Sequence, residues 1–318
     1  MNRFLPIRSL VGMDTITMTN GRSLQQVLET HARWIEEEST GFRCVLDRET
    51  LNEAQLKGVG LRRAIVKGST FLDADLSGVD LSQANIDNAD FQRATLTGAD
   101  FNGAQISETE FSFCWLTEAI FSDAKLRATG FRRASIRNGR FQGVSIESCK
   151  LMGSMLNMAS FHHARIATSD FSESEIDGAQ FLRAQIQGCR FVGIAGTSAN
   201  FSNSTLRECV FSRSNLTGAK FTQADLRGSI FDRTILNDAD LRETQLSGTD
   251  LGRAELRNVR LRGAKLFAAD MRGADLTGAR ELTAAQMAQA RTDETTILPN
   301  GAKGPYRRYS GAERPVGV

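Results

Sequence analysis

Residues 74–103 read ADLSG-VDLSQ-ANIDN-ADFQR-ATLTG-ADFNG, six consecutive groups of five in which a large apolar residue always takes the third place. The same spacing runs from residue 54 to residue 278, with the apolar residue at every number ending in 1 or 6. Of these 45 central positions only Gly196 lacks an apolar side chain, and 23 of the 45 residues two places earlier are alanine. Because the register never shifts, the sequence predicts a fold that repeats without inserted loops.

A spacing of five keeps side chains on one face of neither a helix nor a strand, whose periods are about 3.6 and 2 residues. A coil that turns inward once per quintet does bury them. All 15 phenylalanines at central positions have numbers ending in 1, and this second period of ten predicts a four-sided coil of 20 residues with two opposed Phe columns. The residue two places earlier is small because a second large side chain would overpack a narrow interior. Glycine two places after the centre, as at Gly78, supplies a tight corner.

Runs such as Ala-Asp-Leu-Ser-Gly (74–78), Ala-Asp-Phe-Gln-Arg (89–93) and Ala-Lys-Phe-Thr-Gln (219–223) resemble the pentapeptide-repeat family. The resemblance covers about 225 of the 318 residues. It implies an all-β solenoid, the right-handed quadrilateral β-helix, with about eleven coils and a length on the order of 50 Å.

The chain divides into five predicted segments. Residues 1–22 are an N-terminal segment of uncertain role, 23–53 a capping helix and lead-in, 54–278 the β-helix, 279–298 a C-terminal cap with a short helix, and 299–318 a disordered tail. Both caps carry a capping-box pattern, and we expect them to cover the open ends of the solenoid, which would otherwise aggregate. A homodimer formed through an end cap is a further alternative.

Few side chains are of the kinds that catalysis or metal binding requires. The adjacent histidines His162 and His163 both point outward, as solvated residues do. All five cysteines fall on the small inner position when the register is extended back to Cys44, which favours packing in a reducing compartment. No phosphate loop, nucleophile elbow or zinc-ligand spacing occurs, and carboxylates on a convex surface do not converge. We expect no catalytic residue, no cofactor and no metal.

Charge is distributed unevenly, although the net charge of the chain is only +2. Ten acidic residues and one basic residue lie between Asp73 and Asp123, whereas eight basic residues and one acidic residue lie between Lys125 and Arg165. The candidate acidic patch comprises Asp80, Asp90, Asp100 and Glu110. The candidate basic band comprises Arg127, Arg132, Arg133, Arg137 and Arg140. Within the patch, carboxylates share outward slots of successive coils, which is destabilising unless a basic partner, a cation or splaying into water compensates.

Six large apolar residues occupy outward slots that are normally polar. These candidate partner-binding residues are Phe113, Trp115, Ile120, Met152, Met155 and Met158. Trp115 and Met155 fall in one column near the boundary between the acidic and basic stretches. Because Trp and Met are enriched at protein contacts, we expect an interaction site there; the alternative is the ordinary scatter of exposed apolar residues.

These features favour a noncatalytic rod that binds another protein through its outer surface, with the partner left unidentified. The resemblance adds two alternatives: a DNA-mimicking modulator of DNA gyrase of the quinolone-resistance type, and a secreted bacterial effector. Nucleic-acid binding is less favoured, because the acidic coils beside the basic band would oppose it. No apolar run is long enough for a membrane span and residues 1–22 lack a secretory signal, so a cytoplasmic location is expected.

Overall fold

The computed structural model describes residues 16–315. Within this range the chain forms two compact units that divide between Met155 and Leu156. Each unit is built from 20-residue coils whose neighbours pair side by side as parallel β-structure. The parallel β-solenoid expected from the five-residue period is therefore confirmed.

The regular elements are short and few. In the first unit they are α1 (Leu24–Glu36), β1 (Val45–Asp47), β2 (Ile65–Lys67), β3 (Asn85–Asp87), β4 (Gln105–Ser107), β5 (Lys125–Arg127) and β6 (Ser145–Glu147). In the second unit they are β7 (Arg165–Ala167), β8 (Gln185–Gln187), β9 (Thr205–Arg207) and α2 (Ala284–Met287).

The number of coils depends on which sides are counted. Along the chain, β1 and β9 are separated by eight steps of 20 residues, fewer than the eleven coils expected. The remaining sides pair through single bridges, because the chain turns after one paired residue. These bridges begin with Thr50 and Thr70 in the first unit and extend to Asp275 and Ile297 in the second, beyond the last regular strand.

Stacked phenylalanine rings fill the interior of both units. In the first unit the rings of Phe71 and Phe91 are 4.5 Å apart and nearly parallel, at 4°. Phe101 belongs to the opposed column and meets the ring of Phe111 edge-on, at 5.6 Å and 83°. The second unit repeats the arrangement, with Phe161 stacked on Phe181 at 4.6 Å. Both geometries are favourable for aromatic pairs, and together they confirm the two opposed Phe columns.

Most corners of the coil are β-turns that begin at the central residue. The carbonyl oxygen of Leu76 accepts the N–H of Val79 at 3.0 Å, and Gly78 between them has a φ of 65°. A positive φ at the third residue is the signature of a type II turn and explains why glycine recurs there. Many corners nevertheless carry a side chain at positive φ, among them Phe113 at 63°.

Helix α1 lies against the first coil. It begins with a capping box formed by Ser23 and Gln26, and it buries Leu24, Val27, Leu28 and His31. The Nδ1 atom of His31 accepts the N–H of Cys44 at 3.0 Å. Arg63 lies over the Trp34 ring, with its guanidinium carbon 4.7 Å from the ring centroid. These contacts join the helix to the chain that starts the solenoid.

Residues 299–315, which belong to the segment 299–318 expected to be a disordered tail, make specific contacts; residues 316–318 lie outside the described residues. The carbonyl of Pro299 accepts the N–H of Gly278 at 2.9 Å, continuing the ladder of the coils. The Tyr306 hydroxyl donates to Glu313 at 3.0 Å, and Ala312 is buried. Individual contacts of this kind are not visible in a count of prolines and glycines.

Gly196 leaves the backbone ladder intact. Its N–H donates to the carbonyl of Asn215 in the next coil at 2.8 Å. Other central residues form the equivalent hydrogen bond to their next coil. Ile176 and Leu216, one coil to either side, lean into the space that a side chain at 196 would fill. Ile194 is buried beside it. Neighbouring aliphatic side chains therefore fill the gap in the core.

Candidate protein-interaction surface

The first unit has four sides, named here by their central residues. Side 1 carries β1 to β6 and runs from Leu46 to Ile146, side 2 runs from Leu51 to Leu151, side 3 from Leu56 to Ile136, and side 4 from Leu61 to Phe141. Sides 2 and 4 carry the Phe columns, which face each other across the core. Every candidate residue of this unit can be placed on one of these sides or at a corner between two.

The candidate acidic residues form two separate stacks on opposed sides. Asp80 and Asp100 pair in the ladder of side 4, whereas Asp90 and Glu110 pair in the ladder of side 2. The four carboxylates therefore do not form one continuous acidic surface.

Local hydrogen bonds compensate the stacked carboxylates. Asp80 accepts the N–H and hydroxyl of Ser82 at 2.9 and 2.5 Å, and Asp100 accepts the N–H of Asn102 at 2.8 Å. Partial burial raises the pKa of Asp100, and the charge of Asp80 raises it further. An acidic residue before the centre thus stabilises the following turn, a structural role that requires no partner.

On side 2, the carboxylate of Glu110 bonds the N–H and hydroxyl of Ser112 and extends over Gly130. A Cβ atom at position 130 would overlap this carboxylate. The glycine therefore leaves room for the glutamate, and the acidic stack of side 2 ends there.

The candidate basic band encircles the unit. Arg127 lies on side 1, Arg132 on side 2 and Arg137 on side 3, while Arg133 stands at the corner of sides 2 and 3 and Arg140 lies on side 4. Side chains on opposed sides cannot contact one straight polyanion at the same time, and this geometry supplies no groove for a nucleic-acid duplex.

The six candidate apolar residues are not all brought together. Phe113 ends side 2 and Trp115 begins side 3, so both stand at the same corner, with 48% and 58% of their surfaces exposed. We call this pair the aromatic corner. Two coils further on, Met152 lies on side 2 and Met155 on side 3, while Ile120 lies apart on side 4. Met158 belongs to the second unit, where 63% of its surface is exposed.

Ser135 lies between Trp115 and Met155 in the ladder of side 3 and is buried, although its position faces outward. Ser135 pairs with Trp115 on one side and with Met155 on the other, and only 4% of its surface is exposed. An Arg137 nitrogen contacts the sulfur of Met155 at 3.2 Å. Side 3 therefore carries a largely apolar ridge beside the aromatic corner.

Basic side chains follow the aromatic corner in the next two coils, on side 2 and at the corner of sides 2 and 3. Arg132, Arg133 and Lys150 are exposed, and none of them forms an ion pair within residues 16–315. Lys150 was not among the predicted site residues. Lys150 could have been identified from the sequence, because it follows Glu110 and Gly130 at 20-residue spacing in the same ladder.

The thiols and the depressions of the surface offer little for catalysis. Burial raises the pKa of Cys44 and Cys209 to about 12 and that of Cys189 to about 11, so these thiols stay protonated at neutral pH. Polar and charged side chains line two depressions, of about 300 Å³ on side 1 and about 460 Å³ in the second unit. Across residues 16–315, no three His, Cys, Asp or Glu side chains are arranged to hold a metal ion, and no helix is long and apolar enough to cross a membrane.

The comparisons agree with this architecture. The family model described as pentapeptide repeats matches in eight copies, over residues 74–112, 104–143, 197–233, 244–280 and 254–291. The chain belongs to the pentapeptide-repeat family. None of the curated proteins compared with the chain matches it.

Several solved structures are similar to the chain. HetL of the cyanobacterium Nostoc sp. strain PCC 7120, a pentapeptide repeat protein involved in heterocyst differentiation regulation, is 23% identical with a TM-score of 0.29; the match covers 86% of this chain and 98% of HetL. QnrB1, a plasmid-mediated fluoroquinolone resistance protein, is 19% identical with a TM-score of 0.32; the match covers 70% of this chain and 89% of QnrB1. Similarities of this size carry no argument about a partner or an activity.

Proposed function

We propose that this chain is a noncatalytic scaffold that binds another protein through the aromatic corner formed by Phe113 and Trp115. The observation that carries the proposal is the exposure of about half of each of these two large side chains, at positions where the repeat normally places polar residues. Aromatic residues at such positions dominate the energetics of many protein interfaces.

The turn at this corner does not require an aromatic residue at position 113. The φ of Phe113, 63°, lies in the left-handed region, which a bulky side chain adopts at a cost in free energy. Among the described corner residues with positive φ, Phe113 is the only phenylalanine. A glycine or a small polar residue would make the same turn with less strain, so turn formation does not explain the aromatic ring. The same left-handed φ recurs at other corners, as at Arg93 and Arg133, so it belongs to the turn of the repeat and not to this site alone.

An enzymatic role has less support. Proteins of this family are generally structural or interaction proteins. The large apolar side chains fill the interior of both units, and reactive groups are spread over a convex surface where they do not converge. A nucleophile, a general base and a pocket that excludes water would have to meet at one place, and the described side chains do not meet in this way.

The experiment is an affinity capture from the native cell, read by mass spectrometry, with the full chain as bait. The variant Phe113→Ser/Trp115→Ser removes the aromatic corner. The matched control is Phe267→Ser, which removes a ring that is exposed in the second unit. We expect the double variant to lose specific partners that the wild type and the control retain. An unchanged set of captured proteins in all three samples would refute the proposal.

The two acidic stacks are the observation that favours the alternative of a DNA-mimicking gyrase modulator. They place negative charge on two opposed sides of the coils between Asp73 and Asp123, as a duplex backbone does. The next coil, however, carries an arginine on each of its four sides. These positive charges would be repelled by the positively charged groove of a DNA-binding protein. A supercoiling assay with purified gyrase tests it, and the absence of any effect at micromolar protein would eliminate it.

A further inference from the structure

At the corner between sides 2 and 3, residues at 20-residue spacing form one column that contains acidic, basic and aromatic side chains. Asp73, Arg93, Phe113, Arg133 and Gly153 follow one another at 20-residue spacing. Asp73 and Arg93 form a two-bonded ion pair, with nitrogen to oxygen distances of 2.9 and 2.7 Å. The first arginine of the column is therefore neutralised by the residue one coil before it.

The second arginine of the same column has no such neighbour. Phe113 stands before Arg133 where Asp73 stands before Arg93, so the position that could supply a carboxylate supplies an aromatic ring instead. The side chain of Arg133 extends over Gly153, where a Cβ atom would lie 3.4 Å from its Cγ. Arg132 precedes it on side 2, and Lys150 begins the same side in the next coil; neither forms an ion pair in the described part of the chain. Two arginines without ion pairs thus follow Phe113 in the next coil, and Lys150 begins side 2 one coil further on.

The acidic residue that precedes this cluster in the ladder of side 2 is already engaged. Glu110 bonds Ser112 and lies over Gly130, on the opposite side of this cluster from Lys150. Glu118 stands at the far corner of side 3. Uncompensated like charges beside exposed aromatic rings are costly unless a partner supplies opposite charge together with an apolar group.

We propose that the occupant of this surface is an acidic protein segment that combines an aromatic or aliphatic side chain with at least two carboxylates. Its apolar side chain packs on Phe113 and Trp115, while its carboxylates pair with Arg132, Arg133 and Lys150. The inference rests on the proposed scaffold function and adds the chemistry of the partner. Arginine favours such recognition because its planar guanidinium binds a carboxylate through two parallel hydrogen bonds.

The probe is a fluorescein-labelled peptide, Glu-Glu-Leu-Phe-Glu-Glu, titrated with the full chain and followed by fluorescence anisotropy. Two matched peptides separate the contributions: Gln-Gln-Leu-Phe-Gln-Gln removes the charge, and Glu-Glu-Gly-Gly-Glu-Glu removes the apolar side chains. We expect the first peptide to bind about tenfold more tightly than either control. Its affinity should fall as NaCl is raised from about 50 to about 500 mM, because these ion pairs are exposed to solvent.

The decisive variant is Phe113→Asp. It places a carboxylate before Arg133 in the same geometry that joins Asp73 to Arg93, so the arginine becomes paired within the chain. We expect this variant, and the double variant Arg132→Gln/Arg133→Gln, to weaken binding of the acidic peptide by about tenfold or more. Arg253→Gln removes a basic corner residue in the second unit and should leave binding unchanged. Thermal unfolding of each variant verifies that the fold is retained.

Equal binding of the glutamate and glutamine peptides, no binding of any peptide, or binding indifferent to Arg132→Gln/Arg133→Gln would overturn the proposed partner chemistry. These failures differ from a failure of the scaffold function. If capture of partners depends on Phe113 and Trp115 while the acidic peptide does not bind, the scaffold function is retained and the proposed acidic partner is wrong. If the peptide binds as expected but the set of captured proteins is unchanged in Phe113→Ser/Trp115→Ser, the surface binds acidic peptides and the proposed scaffold function is wrong.

Discussion

Asp80 and Asp100 lie opposite each other in adjacent coils of side 4, and each carboxylate is bonded to the main-chain N–H two residues later. Only 7% of the Asp80 surface is exposed. The turn that follows each aspartate therefore gains a hydrogen-bond acceptor, at the cost of two stacked negative charges. The two effects can be separated, because an asparagine retains the acceptor and removes the charge.

The first prediction concerns Asp100→Asn. Because burial raises the pKa of Asp100, the folded state favours the protonated acid, and ionisation of this group costs stability as the pH rises through its folded pKa. We expect the variant to be more stable than the wild type at pH 7 by up to about 1 kcal/mol, with the difference vanishing below the ordinary aspartate pKa of about 4. Urea unfolding at both pH values measures this difference.

The control for this prediction is Asp100→Ala, which removes both the charge and the acceptor for the N–H of Asn102. It should be less stable than Asp100→Asn at pH 7 by about 1 kcal/mol. A wild type as stable as Asp100→Asn at neutral pH would show that ionised Asp100 carries no penalty in the folded chain.

The second prediction compares two phenylalanines that are two residues apart. Phe111 is fully buried between the rings of Phe91 and Phe131, at 5.0 and 5.1 Å, whereas about half of the Phe113 surface is exposed. Phe111→Ala should destabilise the chain by about 3–5 kcal/mol, because the stacked column is left with a cavity. Phe113→Ser should change stability by less than about 0.5 kcal/mol, as surface substitutions usually do.

Phe111→Leu serves as the conservative control, since the same Phe column carries Leu151 two coils later. It should cost about 1.5 kcal/mol or less. Chemical unfolding of the three variants provides the comparison. Similar losses for Phe111→Ala and Phe113→Ser would contradict the assignment of one ring to the core and the other to the surface.

The interior could be predicted from the sequence because its rule is strictly periodic. A central residue such as Phe101 is buried whatever its neighbours are, since the coil offers one large inward position on each side. The ends were harder to predict. The order of residues 299–315 depends on a few individual contacts, such as that between Tyr306 and Glu313, and composition does not record them.

The surface was only partly predictable for a related reason. Numbering places Trp115 and Met155 in one column, and this placement is confirmed by their common pairing with Ser135. The assignment of charges to one patch or one band could not be made from linear order, because successive quintets lie on different sides. Asp80 and Asp90 are close in sequence and lie on opposed sides, so only the 20-residue step identifies true neighbours.

The last prediction concerns His31, which ties α1 to the first coil. The ring is completely buried, its Nδ1 accepts the N–H of Cys44, and its Nε2 has no hydrogen-bond partner within residues 16–315. Burial lowers the pKa of His31, so the folded state favours the neutral ring. Its contribution to stability is therefore present above the ordinary histidine pKa of about 6.5 and is lost as the pH falls through the lower folded pKa.

We expect acidification from pH 7.5 to pH 5 to loosen α1 before the coils unfold, at a cost of at most about 1.4 kcal/mol per pH unit. Trp34 reports this step, because it stacks on His31 at 5.7 Å, and replacing the only other tryptophan by Trp115→Phe isolates its fluorescence. In the same background, His31→Gln retains an acceptor for Cys44 and cannot titrate, so its Trp34 signal should be independent of pH. If Trp34 responds to acid equally in both proteins, another group controls the attachment of the helix, and the neutral buried His31 is not what holds α1 on the first coil.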